Sequence, residues 1–141
     1  MSNLDLDICY LSASEALEKF KNKSLSPVEL LTETIKRIED VNPKINAFNF
    51  FRFEDALEEA KNSESKYSKG EVSLPLEGIP LAIKDEVNIT GQPNKNGSLI
   101  FKDVIAESTD VDVESLVNSG AIIHARTTNP EFSLTSFCHS K

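Results

Sequence analysis

Apolar residues in the first half of the chain recur at helical spacing, whereas in the second half they tend to alternate. Ser12-x-x-Glu15 has the form of a capping box, and Ala13, Ala16, Leu17 and Phe20 fall on one face of the helix it starts. A second start is sharper, with Ser26 as N-cap, Pro27 at the first helical position and Glu29 at the third. Leu30, Leu31, Ile35, Ile38 and Val41 then form an apolar stripe that Pro43 is predicted to end. Residues 47–51 are strand-like, and a third, more polar helix is predicted over about 54–66 with Ala56, Leu57 and Ala60 inward.

The character of the chain then changes. Residues 67–78, with Ser, Gly and Pro, have the composition of a linker. In the stretch that follows, Ile79, Leu81 and Ile83 share one face of a strand, and Pro80, Ala82 and Lys84 share the other. After a loop over 88–94, Thr109 or Asp110 caps a helix expected to bury Val113, Leu116 and Val117 and to end at Gly120. Residues 121–125 form a second buried strand. Strand, helix and strand at this spacing predict a crossover unit in a mostly parallel sheet. Two or three such strands do not cover a parallel sheet on both faces, so the sheet is expected to continue in residues beyond this chain. There is no internal repeat and no low-complexity tract.

Composition narrows the function classes. With 141 residues, 39% hydrophobic and 27% charged, the chain can bury a core of its own. A net charge of −8, with the acidic residues dispersed, argues against a nucleic-acid-binding face. Cys9 and Cys138 have no CxxC spacing and are expected to be reduced thiols. The N-terminus has no basic-then-apolar signal pattern and no run is long enough to cross a membrane, so a cytoplasmic location is expected. Nothing in the pattern specifies an oligomeric state.

Few residues offer chemistry. His124 sits inside an apolar strand pattern and is expected to be a satisfied structural histidine, while His139 is expected to be solvated. Neither has metal-ligand spacing, and Gly91 and Gly97 do not make a phosphate loop. Lys84 remains, with two readings. At a strand end it can pair with Asp85 or Glu86, half in water. If buried, its ammonium form is disfavoured, and the amine can then accept a proton from a serine nucleophile. Ser98, Ser133 and Ser136 lie in no strained, Gly-flanked turn that would present such a nucleophile.

Three segments together resemble the amidase signature family, over nearly the whole chain. They are Ser26–Leu30 running through Arg37–Glu39 to Asn42–Phe48; Leu76-x-Gly78–Asp85 followed by Gly91 and Gly97-Ser98; and Gly120–Thr127 with Glu131-Phe132. The Gly78-Ile79-Pro80-x-x-Ile83-Lys84-Asp85 element is the more specific of them. The resemblance implies the N-terminal part of an α/β fold with a mixed, mostly parallel sheet flanked by helices, incomplete within this chain. Residues 1–66 would be its mainly helical layer, and 67–141 its first strands and crossover helix.

The resemblance also implies an activity, the hydrolysis or transfer of amides by a Ser–cis-Ser–Lys triad with no metal or organic cofactor. The matched lysine, Lys84, would accept a proton relayed from the nucleophilic serine through the second serine. Backbone amides of the family's Gly/Ser-rich loop would stabilise the oxyanion. Asp85 would hold Lys84 or a backbone turn. Both serines belong to a segment beyond Glu131-Phe132 that this chain does not reach, so its expected partners are a small-molecule amide and the rest of the same fold. Asn94-Lys95 replace a Thr pair common in the family, a departure that bears on packing near Lys84 or on substrate choice. Arg126–Phe132 is more similar to the stand-alone amidases than to the A subunit of glutamyl-tRNA(Gln) amidotransferase, which is the alternative. A non-catalytic binding module built on the same part of the fold is a third reading.

Overall fold

The computed structural model describes residues 6–138, so the expectation for His139 falls outside the described residues. Helices α1 (Leu6–Cys9), α2 (Ala13–Lys21) and α3 (Pro27–Ile45) lead to strand β1 (Phe48–Phe51) and helix α4 (Phe53–Lys69). Strand β2 (Pro80–Lys84), helix α5 (Val111–Asn118) and strand β3 (Ile122–Thr127) follow. Both capping boxes form, Ser12 with Glu15 and Ser26 with Glu29.

Pro43 does not end α3. The helix runs on to Ile45 and closes with Asn46 in the left-handed conformation, its N–H bonded to Asn42 O at 2.8 Å. Proline removes a donor, but this close to a helix end the loss is small enough to tolerate. Nor is 67–78 a free linker. Its first residues extend α4, and Glu77 is buried, its Oε1 accepting bonds from Ser63 Oγ (2.5 Å) and Lys66 Nζ (3.0 Å). The Tyr67 hydroxyl donates to the Glu77 carbonyl at 3.0 Å. Gly120 passes directly over this segment with φ 97°. A Cβ there would stand 2.8 Å from Glu77 Cα, so the left-handed turn and the close approach both call for glycine.

The sheet has the order β1-β3-β2, with β2 and β3 parallel and β1 antiparallel to β3. The chain is thus a mixed α/β structure. Consecutive residues of the central strand reach opposite layers. Ile122 packs with Leu31 and Ile35 of α3 and Ala56 and Ala60 of α4, whereas Ile123 packs with Ile83, Ile89 and Val113. Helices therefore lie on both faces, in line with the expected sheet flanked by helices. Cover from α5 is partial, because Val113 is its one buried residue. Val117, expected to be buried, is 45% exposed at an open cleft of about 600 Å³ beside Ile89 and Ile123. A further cluster joins Ala16, Phe20, Leu25, Leu30 and Tyr67, with the Phe20 and Tyr67 rings edge-on at 5.5 Å.

β3 carries one irregularity. Leu81 pairs with Ile123 and Ala82 with Ala125, which leaves His124 as the extra residue of a bulge. Its ring is buried near Phe48, at 6.4 Å between centroids, but Nδ1 has no hydrogen-bond partner among the described residues. The histidine is thus buried in the sheet without being fully satisfied. Burial pushes its pKa down from the ordinary 6.5 to about 4. The unfolded chain therefore takes up the proton first as pH falls. The stability that neutral His124 contributes is complete above pH 6.5 and is lost as pH drops towards 4, by roughly 3 kcal/mol at most. Urea melts between pH 6.5 and 5, above most carboxylate titrations, should show this fall in the native sequence and a flatter profile in His124→Gln. Equal slopes would assign the pH dependence elsewhere.

Candidate active site

Lys84 closes β2 at the carboxyl end of the parallel β2–β3 pair, the edge at which open α/β sheets hold ligands. The backbone bends immediately after it, and Arg126 of β3 fixes the bend. Arg126 is 0% exposed. Its Nη2 donates to the carbonyls of Lys84 (3.1 Å), Asp85 (3.0 Å) and Val87, and its Nη1 donates to Pro93 O (3.2 Å). A planar fork of donors suits this convergence of carbonyls as a lysine would not. Burial lowers the Arg126 pKa, and the Asp85 carboxylate opposes that shift. The pattern of the chain did not single out Arg126; the available signal was a charged residue inside the apolar run 121–126.

Asp85 is 1% exposed and makes no ion pair with Lys84. Its Oδ2 accepts a long bond, 3.4 Å, from the Gly97 N–H, so of the two roles expected for it the structure favours the backbone turn. Gly97 has φ 64°, and a Cβ there would lie 2.6 Å from the Asn129 carbonyl oxygen. The loop around residue 97 thus rests directly on the segment that follows β3. Asn94 braces the same turn, its Nδ2 donating to Glu86 O (3.2 Å) and Asn88 Oδ1 (2.7 Å).

The Lys84 side chain is 42% exposed, its Nζ 2.7 Å from Glu86 Oε1 and 3.0 Å from Ser133 Oγ. Ser133 also bonds to the other Glu86 carboxylate oxygen and accepts from Asn129 Nδ2 at 3.3 Å. Phe132 and Ser133 have φ of 52° and 55°, left-handed values that cost energy without glycine. Ser133 therefore does lie in a strained turn, against expectation, though no glycine flanks it. Neither of the other two serines is presented as a nucleophile. Ser98 is buried and donates to Glu131 Oε1 at 2.7 Å, and Ser136 is exposed.

The charges decide what this cluster does. The Glu86 carboxyl is held below its ordinary range by the hydrogen bond from Lys84, then by that from Ser133. Lys84 Nζ is placed as the donor to both partners. Among the described residues no group of three or more His, Cys, Asp or Glu is placed to hold a metal ion, and no helix is long and apolar enough to cross a membrane.

A family model described as Amidase matches residues 29–141, the span that includes β2, its turn and β3. The chain belongs to the amidase family. Among its relatives in that family, the A subunit of glutamyl-tRNA(Gln) amidotransferase from Carboxydothermus hydrogenoformans is 37% identical over 131 residues, 93% of this chain and 27% of that protein. Indoleacetamide hydrolase of Bradyrhizobium diazoefficiens is 34% identical over 126 residues, covering 89% and 24%. A bacterial aryl acylamidase of the amidase signature family superposes with a TM-score of 0.80 at 27% identity, covering 89% of this chain and 26% of that one. The chain spans about a quarter of the length of the relatives it matches.

Proposed function

We propose that residues 1–141 form the lysine-bearing part of an amide-hydrolysing site of the amidase signature type, with Lys84 as proton acceptor. The observation that carries this reading is the Arg126 clamp. It immobilises the backbone of Lys84 and Asp85 at the carboxyl edge of the sheet, a level of support that a merely solvated lysine does not need. In the proposed reaction a serine from the family's Gly/Ser-rich segment attacks the amide carbonyl. Its proton passes through the second serine to neutral Lys84 and returns to the leaving amine. The incoming serine hydroxyl would take the position beside Nζ that Ser133 occupies, releasing Lys84 from Glu86.

A second reading, the A subunit of a glutamyl-tRNA(Gln) amidotransferase, is favoured by the 36–37% identity to such proteins. It uses the same lysine to release ammonia from glutamine, and the amide consumed distinguishes the two. The gene itself tests both. An open frame after codon 141 that encodes the paired serines, with amide hydrolysis by the expressed product, is the expected result. A stop codon there, with no separate serine-bearing chain that binds this one, would leave a binding module.

The 141 residues alone are expected to turn over no aryl or aliphatic amide, because the nucleophile is missing and Ser133 is held beside a charged amine. Release of 4-nitroaniline from acyl anilides checks this. Turnover that disappears in both Lys84→Ala and Ser133→Ala would instead make those two residues a complete dyad.

A further inference from the structure

A cavity of about 690 Å³ lies where the C-terminus of α3 and strand β1 meet the loop over residues 95–102. That volume is within the range that holds small ligands. Phe48 and Leu99 give it an apolar wall, Asp85 lies at its inner side, and Lys95 and Lys102 both line it. In a chain of net charge −8 this local balance is unusual. Asp85 contributes little surface to it, since that residue is 1% exposed and its Oδ2 faces the Gly97 N–H. Lys95 has no carboxylate within ion-pair distance among the described residues, and Lys102 has only its exposed neighbour Asp103, at 3.9 Å. Two ammonium groups therefore remain for an occupant, next to an apolar surface.

We propose that this cavity binds a small molecule carrying a carboxylate, with the anion held by Lys95 and Lys102 and an apolar body against Phe48 and Leu99. Two cations lining one concavity attract an anion more strongly than either does alone on open surface. The side chain of Asn94 is taken up in bracing the turn after Lys84, whereas that of its neighbour Lys95 lines the cavity. Joined to the amide-hydrolysing reading, on which this step rests, the substrate becomes an amide that also bears a carboxylate. The binding itself does not depend on Lys84.

Saturation-transfer NMR on the full chain tests it with benzoate, benzamide and benzylamine as probes. Benzoate should bind saturably and weaken with added salt, whereas benzamide and benzylamine should bind at least about fivefold more weakly. Lys95→Gln and Lys102→Gln should each weaken benzoate by up to about fivefold, and arginine at either position should retain most of the affinity. Equal binding of the three probes, no binding of benzoate, or unchanged benzoate affinity in the double glutamine variant would overturn the assignment. Because the readout is binding, its failure leaves the role of Lys84 standing. Conversely, an absence of amide hydrolysis leaves the carboxylate site standing.

Discussion

Arginine in place of Lys84 should stop amide hydrolysis as completely as alanine does, in the protein that unites this chain with the serine pair. Both substitutions are expected to lower the rate by at least about three orders of magnitude. The argument rests on what the proposed step demands. A relay ends on a group that is neutral before the transfer and charged after it. A lysine amine can be both, but a guanidinium stays protonated throughout and has no lone pair to offer. A lysine whose job is its charge would behave differently. Arginine would keep the ion pair that Lys84 makes with Glu86 at 2.7 Å, and activity would survive. Folding is not at stake in either variant, because a half-exposed ion pair contributes only about 1 kcal/mol or less. Thermal melts should therefore stay close to the parent while the rate collapses. Near-normal turnover by Lys84→Arg would remove the proton-acceptor role.

What could be read from the sequence divides by the range of the interaction. Ser12 and Ser26 announced their helices because a capping box is complete within four residues. The β2–α5–β3 crossover was legible from periodicity, and the lysine at the end of β2 from a local motif. The misreadings involve partners distant in sequence. Residues 67–78 have a linker's composition, yet Glu77 is held by Ser63 and Lys66 across the end of α4. Val117 fits the apolar face of α5 but meets an open cleft, since neighbours and not spacing decide burial. Ser133 gave no sign of left-handed backbone, because its conformation is stabilised by contacts to Lys84, Glu86 and Asn129 that only the fold assembles. Arg126 was visible as an anomaly in an apolar strand, but its partners lie about forty residues earlier.

That clamp supports the prediction with the largest effect on stability. Arg126→Met keeps much of the volume and removes every donor. The carbonyls of Asp85, Val87 and Pro93 then lose the guanidinium, Lys84 O keeps only the Val87 N–H at 3.1 Å, and the buried Asp85 carboxylate loses the nearby positive charge. Leaving buried acceptors without a donor costs about 1–3 kcal/mol each, so the total is a large part of the roughly 5–15 kcal/mol that holds a domain together. Urea melts should show a loss of that size, and amide exchange over residues 84–88 should accelerate first. Two further variants separate the causes. Adding Asp85→Asn to Arg126→Met removes the stranded charge and should recover part of the loss, the remainder belonging to the unpaired carbonyls. Arg126→Lys restores a charge but not the fork, and should fall between the parent and Arg126→Met. A loss below about 1 kcal/mol in Arg126→Met would mean that the turn after β2 holds itself, and that the placement of Lys84 owes nothing to the Arg126 side chain.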